Sequence, residues 1–351
     1  MPNRFLASLR LRYHIVRNSN MHQLYNRLVF RVSKVMRGTE LPVQAPYGPV
    51  NAQISVEGYC NLKCTMCPRN DPKFKDQEMS FEKFAKILDQ LPFVKEVELT
   101  GLGEPLLHKD LFKMIECAKK RKIRTVVTTN ATLLNEKNIE RVLRSGLDVI
   151  HVSIDSADPE TFKAIRVGTT LEKVTAGLRN LIDARNRQGA KLRVVINSIL
   201  MMRNYHQVGD MIKLCAAAGV DAISFSDMQY AFDVGISTRA ESLRCAPEPQ
   251  KEEMRKLFKQ AEAMAKEFSI EIGLPKLDQP KVRQNCKQPW TMLVTDEKGQ
   301  VRPCCAIHFV SFGDLNKDNF NKIWNNESFK NFRERLLSDE VPEKCKECTF
   351  L

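Results

Sequence analysis

From Asn51 onward the sequence alternates short runs of aliphatic and β-branched residues with longer stretches of helical periodicity, and this alternation limits the possible folds more than any other feature. Runs of these lengths predict parallel strands joined by helical crossovers, as in an α/β sheet wound in one sense. Six such units fall short of the eight in a closed barrel, so we predict an open or partial barrel with its chemistry at the carboxyl ends of the strands. The predicted strands are Ala52–Val56, Val94–Thr100, Thr125–Thr129, Val149–Ser153, Leu192–Ile199 and Ala222–Ser226, and the predicted helices include Phe81–Gln90, Leu111–Arg121, Glu136–Ser145, Leu171–Arg187 and His206–Ala218.

Changes of pattern along the chain predict three parts. Residues 1–49 predict a basic amphipathic helical extension followed by a Pro-rich linker, and residues 50–249 predict the partial barrel. Residues 250–351 predict a smaller α+β unit. Its elements are one long helix to about Phe268, a hairpin around Asp296–Gly299 and a last helix near Phe320–Leu337.

Positive charge is concentrated at the start of the chain. The formal net charge is +13 at pH 7, and residues 1–39 hold eight Lys or Arg and no acidic side chain. Apolar side chains recur at roughly helical spacing among these arginines, which predicts one or two amphipathic helices. Such a basic face is compatible with peripheral contact to a membrane or to an acidic partner, and also with packing on the chain's own body.

The chain has eleven cysteines, which makes the redox compartment important. The N-terminal region shows no uninterrupted apolar stretch of signal-peptide type, and no segment has the roughly 18 apolar residues that cross a bilayer. We therefore expect a cytoplasmic protein with reduced thiols. In that compartment clustered cysteines are more often metal ligands or catalytic groups than disulfides.

Three cysteines, Cys60, Cys64 and Cys67, lie on one loop directly after the first predicted strand. Three thiolates can hold three irons of a 4Fe-4S cluster and leave the fourth iron open to a small chelating molecule. A structural zinc site needs a closed set of four ligands, and the local sequence offers no obvious fourth Cys or His. The spacing resembles that of the radical S-adenosylmethionine (SAM) superfamily, and the resemblance covers most of residues 50–235.

This resemblance implies both a reaction type and a set of cofactors. In the superfamily, the amino and carboxylate groups of SAM bind the open iron, and reductive cleavage releases a 5'-deoxyadenosyl radical. The cofactors carry the difficult chemistry, while the protein positions them and excludes water. A reduced flavodoxin- or ferredoxin-type protein is the implied electron donor.

Residues around the second predicted strand are assigned to SAM through the same resemblance. The turn that contains Gly103 and Glu104 is similar to the Gly-Gly-Glu motif of the family, so these two residues are expected at the methionine amino group. Met66 stands where many members carry an aromatic residue, and its backbone is expected at the adenine.

Later strand ends complete the expected SAM site. Asn130 and Ser153 have small polar side chains and are assigned to the ribose region, and Arg166 is assigned to the methionine carboxylate because a guanidinium pairs with it through two hydrogen bonds. The alternative interpretation makes the first two residues ordinary capping groups and the third a surface arginine.

A second set of cysteines lies near the C-terminus and comprises Cys286, Cys304 with Cys305 beside it, Cys345 and Cys348. Four thiolates fill every iron of a cluster, so this site would transfer electrons and would not bind SAM. The spacing alone fits a four-cysteine zinc site about as well. The surrounding segments resemble the SPASM region of radical SAM enzymes in its shorter twitch form, which implies one auxiliary 4Fe-4S cluster. Whether Cys304 or Cys305 is the ligand stays open.

The favoured functional hypothesis is a radical SAM oxidoreductase with a small-molecule or peptide substrate. The radical would remove a substrate hydrogen, the auxiliary cluster would accept an electron and a base would take a proton. Asp155 and Asp227 are the candidate bases near the strand ends. A peptide or protein maturase is the second hypothesis. A zinc-dependent nucleic-acid-binding protein is the third, but the basic excess lies mainly outside the cysteine regions, so no nucleic-acid partner is expected.

Overall fold

The computed structural model describes residues 19–37, 41–230, 235–278, 286–307, 310–346 and 348–349, and for residues 33–37 it describes the backbone alone. The predictions made for residues 1–18 therefore lie outside the described residues. The described chain forms one mixed sheet of ten strands, with helices packed against it.

The strands follow one another across the sheet almost in chain order. The order is β10-β9-β8-β1-β2-β3-β4-β5-β6-β7, in which the eight neighbouring strands from β8 to β7 pair in parallel. Strand β9 pairs antiparallel with both β8 and β10. The strands are β1 Asn51–Ile54, β2 Glu96–Glu98, β3 Arg124–Thr129, β4 Val149–Ser153, β5 Arg193–Leu200, β6 Ala222–Asp227, β7 Glu271–Gly273, β8 Met292–Thr295, β9 Gln300–Arg302 and β10 Gly313–Asp314.

Helices supply the crossovers between parallel strands, as the alternation in the sequence predicts. Several begin at a side-chain cap; for example, Ser80 accepts a hydrogen bond from Lys83 N and Thr170 accepts one from Lys173 N. The helices are α1 Met21–Arg37, α2 Phe81–Asp89, α3 Leu111–Lys120, α4 Glu136–Arg144, α5 Pro159–Ile165, α6 Leu171–Gln188, α7 Val208–Ala218, α8 Glu248–Glu267, α9 Gln288–Thr291, α10 Phe320–Trp324, α11 Glu327–Leu337 and α12 Glu343–Lys346.

The α/β partial-barrel prediction is confirmed, and all six predicted strands are present, with each end within two residues of its predicted position. The sheet is wider than six strands because β7 pairs with β6 and β8 pairs with β1. All four strands beyond the predicted six, β7 to β10, come from the stretch predicted as a separate unit. Strands β8 and β9 form the hairpin predicted around Asp296–Gly299, whereas β7 has three residues, too few to show a strand period in the sequence.

The Pro-rich linker is packed against the body and does not merely separate two parts. Ala45 and Tyr47 are buried, and their carbonyl oxygens accept hydrogen bonds from Asn325 Nδ2 (2.9 Å) and Trp324 Nε1 (2.8 Å). Trp290 Nε1 donates in the same way to Pro42 O (2.6 Å). The linker therefore joins the C-terminal helices to the sheet.

Helix α1 is fixed to the body by polar side chains on one face. Gln23 Nε2 donates to Val94 O (2.6 Å), and Asn26 exchanges two hydrogen bonds with the backbone of Gly48 (2.8 and 3.0 Å). Among the described residues, no helix combines the length and the apolar composition required to cross a membrane.

Candidate active site

The loop that carries Cys60, Cys64 and Cys67 is held by backbone hydrogen bonds to the segment after α5. Lys63 N donates to Val167 O (2.9 Å) and Thr65 N donates to Ile165 O (3.0 Å). Burial raises the pKa of the Cys67 thiol to about 11, and the neighbouring cysteines add to this shift. Three thiolates so close together in a buried site need compensating positive charge, which an iron cluster provides.

The turn around Gly103 braces this loop from the other side. Gly103 N donates to Glu57 O (3.0 Å) and Glu104 N donates to Tyr59 O (2.8 Å). A Cβ atom on Gly103 would lie 2.3 Å from Glu57 O and 2.5 Å from Tyr59 O. Only glycine therefore allows the two loops to approach so closely.

Glu104 is buried and links the turn to the end of β3. Its Oε1 accepts from Thr129 Oγ1 (2.7 Å) and Leu106 N (3.0 Å), and its Oε2 accepts from Asn130 N (2.7 Å). Burial raises the pKa of this carboxyl. Because a carboxylate oxygen can accept two hydrogen bonds, Oε2 retains capacity for one further donor such as an ammonium group.

Asn130 contacts the cysteine loop through its side chain. Its Nδ2 donates to Asn61 Oδ1 (2.9 Å) and lies 3.8 Å from Cys60 Sγ. Ser153, the other residue expected near a ribose, lies half-buried at the carboxyl end of β4. The structure thus brings Asn130 to the cysteines and leaves Ser153 at a neighbouring strand end.

Arg166 lies beside the cysteines and is oriented by Asp155. Arg166 Nε donates to Asp155 Oδ2 (2.5 Å), and its Nη1 lies 3.9 Å from Cys64 Sγ. The other oxygen of Asp155 accepts from Ile199 N (2.8 Å), and the carboxylate is buried. Asp155 therefore positions a cation, which argues against its predicted role as the substrate base.

Asp227 is engaged in a similar way. Its Oδ2 accepts from Ser242 Oγ (2.7 Å) and its Oδ1 accepts from Leu243 N (2.8 Å), so the carboxylate organises the turn after Ser242. Burial raises its pKa, and hydrogen bonds oppose that shift. Asp227 is at the end of β6 as predicted, but its contacts also argue against the role of substrate base.

The second cysteine set surrounds a pocket of about 30 Å³. Burial raises the pKa of both Cys304 and Cys345 to about 12, and Cys286 and Cys348 add to the shift of each. Burial and then Cys304 and Glu98 raise the pKa of Cys305. Both Cys304 and Cys305 line this pocket together with Cys286, Cys345 and Cys348.

A cavity of about 340 Å³ lies between the two cysteine sets. Met66 and Pro68 of the first loop line one side, and Cys305 lines another. Its remaining wall combines apolar and polar side chains from several strands: Gln53, Ser55, Phe74, Glu98, Thr100, Gly101, Leu102, Ile199, Met228, Gln229, Val294, Thr295, Glu297 and Arg302. A surface groove of about 640 Å³ between α4 and α6 contains none of the predicted site residues.

Two carboxylates face this cavity. Glu297 is buried and accepts a hydrogen bond from Ser55 Oγ, and Glu98 accepts one from Thr128 Oγ1 (3.3 Å). Burial raises the pKa of both carboxyls. The nearby Thr295 is 1% exposed, and its Oγ1 has no hydrogen-bond partner among the described residues. The cavity wall therefore offers proton-accepting groups and an unsatisfied hydroxyl.

Comparison with known sequence families decides which cofactors this geometry serves. Residues 54–215 match the radical SAM superfamily, and residues 286–349 match SPASM, an iron-sulfur cluster-binding domain. The chain therefore carries a radical SAM domain followed by a SPASM domain. Both matched regions include the cysteine sets described above, and the SPASM match favours iron-sulfur over zinc in the second set.

Curated relatives match about half of the chain or less. The probable GTP 3',8-cyclase of Methanothermobacter marburgensis is 34% identical over 174 residues, which are 48% of this chain and 55% of the cyclase. The match thus spans about half the length of that relative. The match therefore does not assign the activity of that whole enzyme to this chain.

Solved structures of radical SAM enzymes share the fold over most of the chain. Streptococcus suis SuiB, bound to its precursor peptide SuiA, aligns with a TM-score of 0.67 and 16% identity, covering 86% of this chain and 71% of SuiB. BtrN in complex with AdoMet and 2-DOIA aligns with a TM-score of 0.51 and 16% identity, covering 86% of this chain and 93% of BtrN. At such identities the likeness shows the fold alone.

A radical SAM domain binds a 4Fe-4S cluster and SAM, and a SPASM domain binds auxiliary iron-sulfur clusters. The residues present at both sites fit these groups. The buried thiols of both sets have raised pKa values that cationic iron would reverse. Arg166 lies beside Cys64, where its guanidinium can pair with the carboxylate of an amino acid. Glu104 can still accept one hydrogen bond, as binding of an amino group requires.

Sequence reasoning missed the two cavity carboxylates of this radical SAM enzyme. Gln53 and Glu98 are register partners on β1 and β2, and both line the cavity. Glu98 alternates with the buried Val97 and Leu99, which is the signal that could have found it, because alternate residues of a barrel strand face its interior.

Proposed function

We propose that this radical SAM enzyme is an oxidoreductase that removes two electrons from a substrate held between its two cysteine sets. The observation that carries the proposal is the cavity of about 340 Å³, which is bordered by Met66 on the first cysteine loop and by Cys305 next to the second set. A substrate in this cavity touches the surroundings of both cofactor sites at once. That arrangement suits hydrogen removal at one end and electron removal at the other.

When bound, the first cluster and SAM supply a 5'-deoxyadenosyl radical that takes one hydrogen atom from a substrate carbon, and the auxiliary cluster supplies the acceptor for one electron. The substrate also releases one proton to the protein. An alcohol that gives up one hydrogen atom, one electron and one proton in this way becomes a ketone, so atoms and electrons balance.

We assign the cofactor-holding roles to the residues named from the sequence. Cys60, Cys64 and Cys67 would hold the first cluster, Glu104 and Gly103 would receive the methionine amino group, and Arg166 would pair with its carboxylate. The ion pair of Arg166 with Asp155 supports this role because it fixes the guanidinium beside Cys64. Met66, Asn130 and Ser153 remain proposed for the adenosine part.

Among the second set, the contacts of Cys304 favour it over Cys305 as the fourth ligand. Its thiol is surrounded by Cys286, Cys345 and Cys348, whereas Cys305 borders both the small pocket and the large cavity. We therefore assign Cys304 to the auxiliary cluster and Cys305 to the wall that separates cluster from substrate. Residues 250–351 remain the proposed SPASM unit, although β7 and β8 extend the barrel sheet.

Glu297 is the proton acceptor that the geometry supports best. It is buried, lines the cavity and keeps only one described side-chain donor, Ser55. Glu98 lies in the same wall as a second candidate. Burial raises the pKa of Glu297 above the usual value, which makes its carboxylate a stronger base than an exposed one.

The lining also indicates a substrate class. Two carboxylates and the unsatisfied Thr295 hydroxyl accept hydrogen bonds, while Met66, Met228 and Phe74 provide apolar contact. A substrate with several hydroxyl groups, or with an amine beside the reacting alcohol, satisfies these acceptors. A reduced flavodoxin- or ferredoxin-type protein remains the proposed electron donor.

A peptide maturase is the second candidate, because the fold likeness to SuiB with its bound precursor peptide extends over 86% of this chain. The GTP 3',8-cyclase activity of the curated relatives is a weaker candidate, since the match covers only 48% of this chain and 55% of the first of these relatives. The three candidates differ in product, so one assay separates them.

The test is anaerobic reconstitution with iron and sulfide, followed by incubation with SAM, reductant and panels of polyols, amino alcohols, GTP or peptides. We expect about eight irons per chain for two clusters, and one 5'-deoxyadenosine for each product molecule that lacks two hydrogens. A product that forms with both clusters intact but without net oxidation would exclude the dehydrogenase.

The Glu297→Gln variant sharpens the test. It should still release 5'-deoxyadenosine but form at least roughly tenfold less oxidised product, because general-base catalysis contributes on the order of a hundredfold or more. Glu262→Gln, an exposed position on α8, is the matched control and should behave as the parent enzyme.

A further inference from the structure

Helix α1 carries a row of large apolar side chains that the body leaves uncovered. Met21, Tyr25, Leu28 and Val32 are 79%, 69%, 59% and 46% exposed. Their spacing of four, three and four residues places them on one side of the helix. We call these four residues the outer stripe. Five other large apolar side chains among the described residues are exposed, by 41 to 49%, and they come from five separate segments of the chain.

The orientation of the outer stripe is fixed by the opposite face of the helix. Gln23 and Asn26 bind backbone groups of the body, and Phe30 packs edge-on against Tyr47 with ring centroids 4.9 Å apart. These contacts hold the helix in place, so the side chains of the outer stripe are not needed to anchor it to the body. It faces outward on a helix that is already anchored.

The charge around the outer stripe has one sign. Helix α1 contains no acidic residue, and Arg31 is exposed about 80 to 100 degrees around the helix from the stripe, with Arg27 behind it. The preceding 18 residues add four arginines and again no acid. An apolar row bordered on one side by cations is complementary to the surface of a bilayer with anionic lipids, where the arginines meet headgroups and the apolar side chains enter the acyl boundary.

We propose that the outer stripe docks this enzyme on an anionic lipid surface. Lipid fits better than a folded protein partner because the stripe is one helix wide, convex and lined by flexible arginines rather than recessed in a groove. Tyr25 suits the headgroup level, since its ring is apolar and its hydroxyl is polar. The inference is independent of the proposed reaction.

The test is flotation of the full-length reconstituted protein with two kinds of vesicle. One contains phosphatidylcholine alone, and the other contains about one third phosphatidylglycerol, which gives the negative surface potential that attracts arginines. We expect binding to the anionic vesicles only, weakened by added salt because the attraction is screened. Equal binding to both vesicles, or none to either, would overturn the proposal.

Two double variants distinguish vesicle binding through the outer stripe from non-specific binding through other exposed apolar side chains. Tyr25→Ser with Leu28→Ser should lower vesicle affinity at least roughly tenfold, because each side chain loses buried apolar area. Phe268→Ser with Val310→Ser removes side chains that are 43% and 47% exposed elsewhere and should bind as the parent does. Circular dichroism and iron content should be unchanged in both, since all four side chains are exposed.

Other occupants of the stripe have their own outcomes in the same experiment. Dimers in sedimentation velocity that disappear in the Tyr25→Ser, Leu28→Ser variant, without vesicle binding by the parent, would assign the stripe to a second copy and overturn the lipid proposal. Arg27→Gln with Arg31→Gln should abolish the preference for anionic vesicles. A preference retained by that variant would also contradict the proposal.

Discussion

The two cysteine sets of this radical SAM enzyme are built in different ways. Cys60, Cys64 and Cys67 share one loop, which contacts charged and polar groups such as Arg166 and Asn130. The second set comes from three separate segments and encloses a pocket of about 30 Å³, whose other lining includes Pro289, Ile307 and Phe332. The first site is therefore formed by one loop and surrounded by charged and polar groups, and the second is assembled by tertiary packing and is mainly apolar.

This difference indicates a division of labour. A polar surround with a cation beside one thiol suits a site that binds a charged amino acid group. An apolar, enclosed set of four thiols suits a cluster that exchanges electrons without binding a ligand. Each of the following predictions tests whether the two sets can be separated by experiment.

The largest effect is expected from Cys64→Ala. Loss of one of three thiolates should remove about four irons per chain and abolish 5'-deoxyadenosine formation, since the first cluster cannot form. Cys345→Ala should also remove about four irons but keep 5'-deoxyadenosine formation within several-fold of the parent. Iron analysis and chromatography of the nucleoside measure both outcomes.

Cys215→Ala is the matched control for these substitutions. Cys215 is fully buried in the core of α7, and burial alone raises its pKa to about 12. The variant should keep all iron and both reactions. If Cys345→Ala abolished 5'-deoxyadenosine formation while its fold stayed intact, the two sets would not be separable in the way we propose.

The next effect concerns the brace of the first loop. Gly103→Ala should destabilise the reconstituted enzyme by about 2 to 4 kcal/mol and lower its iron content, because the new Cβ would collide with two backbone carbonyl groups that cannot move independently. Chemical unfolding and iron analysis measure it.

Gly209→Ala is the control for that substitution. Its Cβ would have only Met264 Cε within reach, at 3.9 Å, and its position in α7 favours alanine. This variant should be as stable as the parent or slightly more stable. Equal stability of the two alanine variants would show that the turn at Gly103 does not hold the cysteine loop.

A smaller effect is expected for the pair of Arg166 and Asp155. Arg166→Gln should weaken SAM binding by about tenfold to a hundredfold, since a hydrogen bond to a charged group contributes about 1.5 to 3 kcal/mol. Asp155→Asn should weaken it less, because the guanidinium remains but loses its ion pair. Equilibrium dialysis with SAM gives both dissociation constants.

The surface pair of Arg121 and Asp89 supplies a control of the same chemistry. Its carboxylate, on α2, is 62% exposed, and its arginine follows α3 and contacts Cys117, which belongs to neither cysteine set. Arg121→Gln should leave SAM binding unchanged. If Asp155→Asn weakened binding more than Arg166→Gln, then Asp155 would do more than orient the arginine.

The sequence predicted local features better than long-range ones, and the two cysteine sets show why. The first loop and the strands around it follow from spacing and periodicity within short windows. Strand β7 is too short for such a signal, and the places of β7 beside β6 and of β8 beside β1 depend on packing across the whole chain. The choice between Cys304 and Cys305 likewise depended on neighbours that only the folded chain brings together.

The candidate proton-accepting carboxylates illustrate a second limit of prediction from the sequence. A carboxylate at a strand end, such as Asp155 or Asp227, has the same sequence signature whether it takes a substrate proton or holds neighbouring donors. In the structure both hold donors, while the cavity is lined by Glu98 and Glu297. Glu297 lies in the turn of the predicted hairpin, but the pairing of β8 with β1 depends on contacts far apart in sequence, so its place in the cavity could not be predicted.

The smallest effect that distinguishes the two regions is a pH dependence at the first one. Burial raises the pKa of Glu57, whose backbone carbonyl receives the Gly103 bond, from 4.5 to about 7. Between these values the folded protein holds a proton that the unfolded chain releases, so stability falls as pH rises from about 4.5 to about 7 and levels off above it. Relative to Glu57→Gln, the melting temperature of the parent should fall by about 1 to 3 °C across that window. The exposed Glu262→Gln variant is the control, and its melting temperature should depend on pH as that of the parent does. If the melting temperatures of the parent and of Glu57→Gln changed in parallel with pH, Glu57 would already be ionised in the folded enzyme.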